Sequence, residues 1–178
     1  MRRVAGEIGV RVEIQVRSAR GGHPRALEEL QFYQRGVLGL SLDLRYPDVL
    51  IAAIDANCDP YAAARKKIES SLSPEFLPIT AVACPEPHIE RWYMADPASF
   101  AQVVGKAPRQ EKRKCDRNRY KKLLAESVRA AGHPALLGGI EFASEIVTAM
   151  DLYRAGKRER SLKHFMDEVT RILKQSRH

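Results

Sequence analysis

Carboxylate and amide side chains follow two apolar segments of this sequence, at the point where each segment ends. Asp55 and Asn57 come after the first segment, and Glu86 and Glu90 come after the second. If the two segments are neighbouring parallel strands, about 4.8 Å apart, their carboxyl ends bring Asp55 and a glutamate close enough to share one cation. Oxygen ligands suit Mg²⁺, which often takes only one or two protein carboxylates together with waters and substrate phosphates.

The chemistry that such a site predicts is metal-assisted phosphoryl transfer. The ion would position a phosphodiester and stabilise the charge that develops on its leaving oxygen. We expect Asp55 and Glu90 to hold the metal as catalytic residues, with Asn57 and Glu86 as further ligands. Structural interpretations stand beside this one: Glu86, in a first helical turn, complements the helix dipole, and Asp59 before Pro60 is a typical helix N-cap.

A zinc site is an alternative use of the same region. Cys84 and His88 are four residues apart, and Cys58 follows the other segment. Thiolate zinc sites usually contain more closely spaced cysteine pairs, so the sequence favours Mg²⁺ over zinc.

The two apolar segments have the composition of buried strands. Val49–Ile54 and Ile79–Cys84 are rich in aliphatic residues and show no helical stripe, which is typical of parallel strands covered on both faces. Val10–Arg17 alternates apolar and polar residues and predicts a third strand. A helix of about twelve residues is predicted to begin at Pro24, after the Val10–Arg17 strand. Another is predicted over Tyr61–Leu72, after the Val49–Ile54 strand. This order indicates an α/β fold with a Rossmann-like parallel sheet of few strands flanked by helices.

The last part of the chain is predicted to be helical. Apolar positions at helical spacing predict helices over Asn118–Ala131, Ile140–Arg154 and Ser161–Lys174. We therefore divide the chain into an α/β core, residues 1–100, and a basic loop with helices, residues 101–178, packed on that core.

Basic residues are concentrated in this helical part. The net charge is +8, and Lys106–Lys122 alone holds nine Lys or Arg against two acidic residues. A basic part joined to a carboxylate-bearing part suits a polyanionic substrate, most simply nucleic acid, although a basic helical surface kept for solubility fits the same composition. The residues predicted to bind nucleic acid are Lys112, Arg113, Lys114, Arg119 and Lys121.

Gly21, Gly22 and His23 precede the first long helix and form a candidate phosphate loop. Backbone N–H groups at a helix N-terminus can bind phosphate, which would also fit a small-molecule or nucleotide-binding protein. Two glycines equally suit a tight strand-to-helix turn. Further on, Val37–Leu44 is compatible with either a short strand or a buried loop.

Composition favours a cytoplasmic protein. The three cysteines are odd in number and lack a CxxC pair, so a disulfide framework is not expected. No apolar run approaches the roughly 20 residues that span a bilayer, and the N-terminal MRRVAGEIG lacks the apolar region of a signal peptide.

Four stretches carry a resemblance to a known group: SARGGH (18–23), IDANCD (54–59), PEPHIERWYMAD (85–96) and SLKHFMDEVTRIL (161–173). They resemble an uncharacterised bacterial family related to the TOPRIM fold, similar to the TOPRIM part of OLD-type nucleases and to proteins found near ATPases. The resemblance implies a TOPRIM-like core, a nuclease-like activity with Mg²⁺, and an ATPase as a partner.

TOPRIM domains place a glutamate after their first strand and a DxD after a later one, and together these bind Mg²⁺. Asp55 and Asn57 occupy what resembles the DxD, so an amide replaces the second carboxylate. Glu90, Trp92 and Asp96 resemble the ExW segment of the group. The first strand and its glutamate have no counterpart, and Met1–Gly9 resembles the end of the helix that follows them. Either translation starts further upstream or the protein lacks this element.

Two functions from different classes follow from these features. The first is a Mg²⁺-dependent, nuclease-like phosphoryl-transfer enzyme acting on nucleic acid. The second is a non-catalytic TOPRIM-like module that binds nucleic acid or a protein in a defence or repair system. The amide at Asn57 and the missing glutamate favour the second.

Overall fold

The computed structural model describes residues 1–19, 21–39, 44–111, 116 and 118–176. The chain forms two compact units, each assembled from separate stretches. Unit 1 comprises Met1–Asp55, Tyr61–Cys84 and His164–His178, and unit 2 comprises Ala56–Pro60 and Pro85–Lys163. Both units combine residues from before and after position 100.

Unit 1 is a mixed α/β structure built on a small parallel sheet. Its strands β1 (Leu50–Ala53) and β2 (Thr80–Ala83) pair in parallel, with Leu50 opposite Thr80 and Ala53 opposite Ala83. The crossover between them contains α3 (Tyr61–Glu69) and a 3₁₀ turn. The coarse α/β prediction is confirmed, with a parallel sheet flanked by helices. The other helices of unit 1 are α1 (Arg2–Glu7), α2 (His23–Leu38) and the part of α9 (Arg160–Gln175) from His164 onward.

The strand predicted over Val10–Arg17 is wrong. The segment has no strand assignment, and no backbone hydrogen bond joins residues 11–19 to another described residue. Val16 is 85% exposed, whereas Val10, Val12 and Ile14 are half-buried along a cleft. Alternation indicates which side of a segment faces an apolar surface, but a strand also needs a neighbouring backbone with which to pair.

The prediction that β1 is buried on both faces is also wrong. Only Ala52 of this strand is buried and Ala53 is exposed, whereas all four residues of β2 are buried. A cleft of about 1060 Å³ runs along β1 and leaves this strand partly uncovered. The difference arises because α9 closes the outer edge of β2, whereas β1 borders the cleft.

The outer edge of β2 is closed by a side chain of α9. The Val82 amide donates a hydrogen bond of 2.9 Å to Oε2 of Glu168, and Oε1 of the same carboxylate lies 2.5 Å from Arg65 Nη2. Arg65 also bonds Glu69 at 2.7 Å, so the capping carboxylate is fixed by a charged partner. Glu168 thus supplies the acceptor that the Val82 amide lacks within the sheet.

Unit 2 is helical in its described residues. It contains α4 (Glu90–Tyr93), α5 (Pro97–Val104), α6 (Arg119–Ala130), α7 (Ala143–Ala149) and α8 (Leu152–Arg158), followed by the first residues of α9. In α6 the apolar residues at helical spacing form the buried face: Tyr120, Leu123, Leu124 and Val128 are buried.

The single helix predicted over Ile140–Arg154 is wrong. The segment is divided into a 3₁₀ turn, α7 and α8, with the last break after Met150. Met150 has an extended ψ of 130°, and the Asp151 side chain accepts a hydrogen bond from the Arg154 amide at 2.9 Å. Asp151 therefore acts as the N-cap of a new helix, an arrangement that short acidic side chains favour.

Within the described ranges, the helices are all too short or too polar to cross a membrane.

Candidate functional site

The chain leaves the two strands on the same edge of the sheet, as the sequence predicts. The last bond of the ladder joins the Ile54 amide to the Ala83 carbonyl at 3.1 Å. Within unit 2, the chain that follows β1 remains alongside the chain that follows β2. The Ala56 amide donates to the Pro85 carbonyl at 2.8 Å, and the Asn57 amide donates to the Pro87 carbonyl at 2.9 Å. Within unit 2, the residues after the two strands thus form a paired rim, which starts at Ala56 and at Pro85.

The backbone of Asn57 joins it to Pro87 of the neighbouring segment. Its φ is +52°, the only positive value among the described non-glycine residues. Asparagine adopts this left-handed conformation more readily than most other residues, and aspartate shares the preference. The tight turn therefore explains a short polar side chain at position 57 without explaining why it is an amide. The residue is exposed at the rim, as a ligand to a solvated ion would be.

Glu90 is a buried carboxylate at the start of α4. The residue is 6% exposed, and no hydrogen-bond donor among the described residues reaches its Oε2 atom. Burying a carboxylate oxygen without a partner is costly, and a cation or a proton removes that cost. Glu90 thus combines the chemistry of a metal ligand with an unsatisfied oxygen.

The neighbours of Glu90 hold α4 in place through an ion pair. Arg91 Nε donates to Glu159 Oε1 at 2.9 Å, Nη2 contacts the same oxygen, and the guanidinium lies over the Tyr120 ring, 5.5 Å from its centre. Burial of the guanidinium would lower the pKa of Arg91. The hydrogen bond to Glu159 outweighs this effect of burial, so the pKa of Arg91 is raised. On the following residue, Trp92 Nε1 donates to Ser161 Oγ at 2.9 Å. The backbone of α4, and with it Glu90, is therefore well anchored.

Asp96 forms a second buried network, which the sequence reasoning did not identify. Its carboxylate accepts from Ser99 Oγ at 2.6 Å, from the Asp151 amide at 2.9 Å, and from Arg154 Nη2 at 2.9 Å. Burial alone would raise the pKa of this carboxyl, but the bonds from Arg154, Ser99 and Asp151 lower it well below its usual range. In the sequence, the only indication of a structural role for Asp96 was the Asp96–Pro97 pair, which is typical of a helix start.

The cysteines argue against zinc. Cys58 is disulfide-bonded, contrary to the expectation from cysteine spacing, and a disulfide sulfur cannot serve as a thiolate ligand. Cys84 and His88 are both buried, at 0% and 5% exposure. The three-residue zinc alternative therefore loses one of its members.

Mg²⁺ fits the rim residues better than zinc does. In the described part of the chain, no three His, Cys, Asp or Glu side chains are grouped so that they could hold a metal ion. Mg²⁺ does not require such a group, because one or two carboxylates with waters can hold it. The unsatisfied oxygen of Glu90 is the structural observation that fits a hard cation.

The glycine loop has the geometry of a tight turn. Gly21 and Gly22 have φ values of +108° and +82°, and α2 begins at His23 with Pro24 in its first turn. Arg25, in the first turn of this helix, is paired with two glutamates of the same helix, at 3.2 and 2.9 Å. Phosphate binding by Gly21, Gly22 and His23 remains a prediction.

Only two of the predicted nucleic-acid-binding residues can be located, because Lys112, Arg113 and Lys114 lie outside the described residues. Arg119 is half-buried and forms an ion pair with Glu111, so its charge is largely neutralised. Lys121 is exposed on α6 beside a shallow groove of about 330 Å³. The sequence reasoning did not single out the other two cations of this groove, Lys122 and Arg129.

No protein-family model matches the chain, and neither a curated protein nor a solved structure shows significant similarity to it. The resemblance to the TOPRIM-related family therefore rests on the short motifs of the sequence.

Proposed function

We propose that this protein is a TOPRIM-like, Mg²⁺-dependent, nuclease-like enzyme that transfers phosphoryl groups of nucleic acid. The observation that carries the proposal is the buried Glu90 carboxylate, one oxygen of which has no hydrogen-bond partner in the described structure. In the chain, Glu90 follows β2 and Asp55 follows β1, and the two parallel strands end on the same edge of their sheet. Ligands of open α/β sheets bind at this carboxyl edge of the strands.

Each predicted ligand has a role in this proposal. Asp55 and Glu90 hold the ion, and Asn57 and Glu86 complete its surroundings directly or through water. When bound, Mg²⁺ stabilises negative charge on the phosphoryl oxygens. The Arg91–Glu159 pair fixes the helix that carries Glu90, so that the carboxylate is in position before substrate arrives.

Basic side chains would supply the affinity for a polyanion. Lys121, Lys122 and Arg129 form the cationic groove on α6, and Lys112, Arg113 and Lys114 precede this helix in the sequence. Lysine and arginine contacts to backbone phosphates bind without reading sequence, so we propose a substrate defined by its charge.

The test is cleavage of labelled single- and double-stranded DNA and RNA with and without Mg²⁺. Asp55→Ala and Glu90→Gln should each reduce cleavage at least about a hundredfold, the scale expected for loss of charge stabilisation at a reacting phosphoryl group. Glu145→Gln is the matched control, because Glu145 is an exposed carboxylate on α7. Cleavage that survives in Asp55→Ala, or that is unchanged when EDTA removes the metal, contradicts the proposal.

A second candidate is a non-catalytic TOPRIM-like module that binds nucleic acid or a protein such as an ATPase in a defence or repair system. The observation that favours it is Asn57, a neutral and weaker metal ligand at the position of the second carboxylate. This candidate predicts nucleic-acid binding that falls with salt, without cleavage by the wild-type protein at any Mg²⁺ concentration.

A further inference from the structure

The two outer edges of the sheet differ in their hydrogen bonding. On β2, the Val82 amide is bonded to Glu168, which is itself held by Arg65. On β1, no backbone or side-chain bond of this kind is formed by the described residues. An uncapped strand edge presents backbone donors and acceptors that pair readily with another extended chain.

The direction of the unpaired groups follows from the ladder. Ile54 donates toward β2, to the Ala83 carbonyl. Backbone groups of successive strand residues alternate in direction, so those of Ile51 and Ala53 point away from β2. Both residues line the cleft of about 1060 Å³. No backbone bond in the described structure satisfies these groups on that side.

Another wall of the cleft is formed by a stretch of backbone without regular secondary structure. Residues 10–15 line the cleft, with Val10, Val12 and Ile14 half-buried there. From residue 11 to residue 19, no backbone hydrogen bond to another described residue is formed. The sequence of this wall has the alternation of a strand, and its half-buried side chains are the apolar ones. From residue 11 onward, the described part of the chain offers it no backbone partner.

The size of the cleft matches one additional strand. A strand occupies a cross-section of about 4.8 Å by about 10 Å in a packed sheet and rises about 3.3 Å per residue. At this cross-section, a cleft of about 1060 Å³ holds roughly six or seven residues. That length is comparable to the wall formed by residues 10–15.

The charge of the cleft distinguishes it from the basic groove on α6. Among the described residues of its lining, three are arginines, Arg11, Arg17 and Arg45, and three are acidic, Glu13, Glu29 and Asp48. The lining is therefore neutral on balance and gives no preference for a polyanion. Apolar side chains such as Phe32, which is 67% exposed, add to its surface.

We propose that this cleft binds an extended segment of another polypeptide, which enters as a strand beside β1. An extended peptide carries alternating N–H and C=O groups on both of its edges, so one segment satisfies both walls at once. Its alternate apolar side chains contact Val12 and Ile14, while main-chain bonds supply affinity, as in other cases of strand addition. This interaction is independent of the proposed nuclease activity.

The test uses fluorescein-labelled eight-residue peptides that alternate valine with threonine and end in lysine. Binding to the full-length protein is followed by fluorescence anisotropy, and hydrogen exchange is measured at the amides of Ile51 and Ala53. We expect binding, together with exchange at these two amides that slows about tenfold or more when peptide is present.

Two variants on the same segment provide the comparison. Ile14→Asp places a charge in the cleft and should weaken binding at least about tenfold. Val16→Asp is the matched control, because Val16 lies outside the cleft lining and is 85% exposed, and its affinity should remain within about twofold of wild type. If Ile14→Asp fails to fold, as judged by circular dichroism, the exchange measurement on the wild-type protein decides the question.

Three results overturn the proposal. One is that no peptide of the panel binds or protects Ile51 and Ala53. Another is that the two aspartate variants weaken binding equally. The third is a concentration-dependent dimer of the wild-type protein that Ile14→Asp dissociates, which would place a second copy of this chain in the cleft instead.

Discussion

Glu168 accepts a hydrogen bond of 2.9 Å from the Val82 amide and so closes the outer edge of β2 with a residue of α9. Arg65 compensates the charge of this carboxylate. The contact joins residues that are 86 positions apart in the chain. It therefore secures the last helix of unit 1 to the sheet of the same unit.

Removing this cap should destabilise the protein. Glu168→Ala leaves the Val82 amide without an acceptor and Arg65 without one of its two carboxylates, which we expect to lower the free energy of unfolding by about 2 kcal/mol. Glu168→Gln keeps an oxygen for the amide and should lose less. Urea unfolding followed by circular dichroism measures both values. Glu75→Ala, at an exposed carboxylate of unit 1, is the control, and an equal loss in that variant would contradict a specific role for Glu168.

Asp96 predicts a dependence of stability on pH. Its pKa is lowered in the folded protein, because the bonds from Arg154, Ser99 and Asp151 outweigh the opposing effect of burial. A lowered pKa contributes stability that is fully present above the unfolded value, about 3.9, and is lost as the pH falls toward the folded value. The stability difference between wild type and Asp96→Asn should therefore be large at pH 7 and shrink steadily below about pH 4.

Urea unfolding at a series of pH values tests this expectation. Asp48→Asn is a suitable control, because Asp48 is exposed. A difference between wild type and Asp96→Asn that stays constant from neutral to acidic pH would show that Asp96 acts through packing rather than through its charge.

The basic groove on α6 predicts a salt-dependent affinity for nucleic acid. If Lys121, Lys122 and Arg129 contact phosphates, replacing any one with alanine should reduce the slope of log affinity against log salt by about one. Arg119→Ala should change the slope less, because Arg119 is paired with Glu111. Anisotropy titrations with a labelled oligonucleotide at several salt concentrations measure these slopes.

Lys66→Ala, at an exposed lysine of α3, serves as the control for a general loss of charge. An affinity that does not vary with salt, or equal slopes in all variants, would exclude the groove as a nucleic-acid interface. Binding that responds as expected without any cleavage would favour the non-catalytic candidate.

The sequence predicted those elements whose signal is local. β1 and β2 were located because short apolar runs end at turn residues, and the buried face of α6 followed from helical spacing. Val10–Arg17 was mistaken for a strand because pairing depends on a second backbone, which alternation does not reveal. The helix over Ile140–Arg154 was drawn too long because Asp151 acts as a cap, and the apolar pattern passes through it without interruption.

The candidate site was predictable only in part. The common edge of the two strands follows from parallel pairing, and the carboxylates could be read from their positions after the apolar runs. The burial of Glu90 could not be predicted, because it depends on contacts that anchor α4 to distant residues. Arg91 bonds Glu159, 68 residues away, and Trp92 bonds Ser161, 69 residues away. The Asp96–Arg154 pair was missed for the same reason, since its members are 58 positions apart.

The interleaved order of the two units also bears on how the protein can be divided. A fragment that stops near residue 100 retains Val82 but lacks Glu168, and a fragment that starts there lacks the whole of α4. No single cut yields either unit intact, since each recruits stretches from distant parts of the chain. Splitting the gene should therefore give two products that must be expressed together to regain structure.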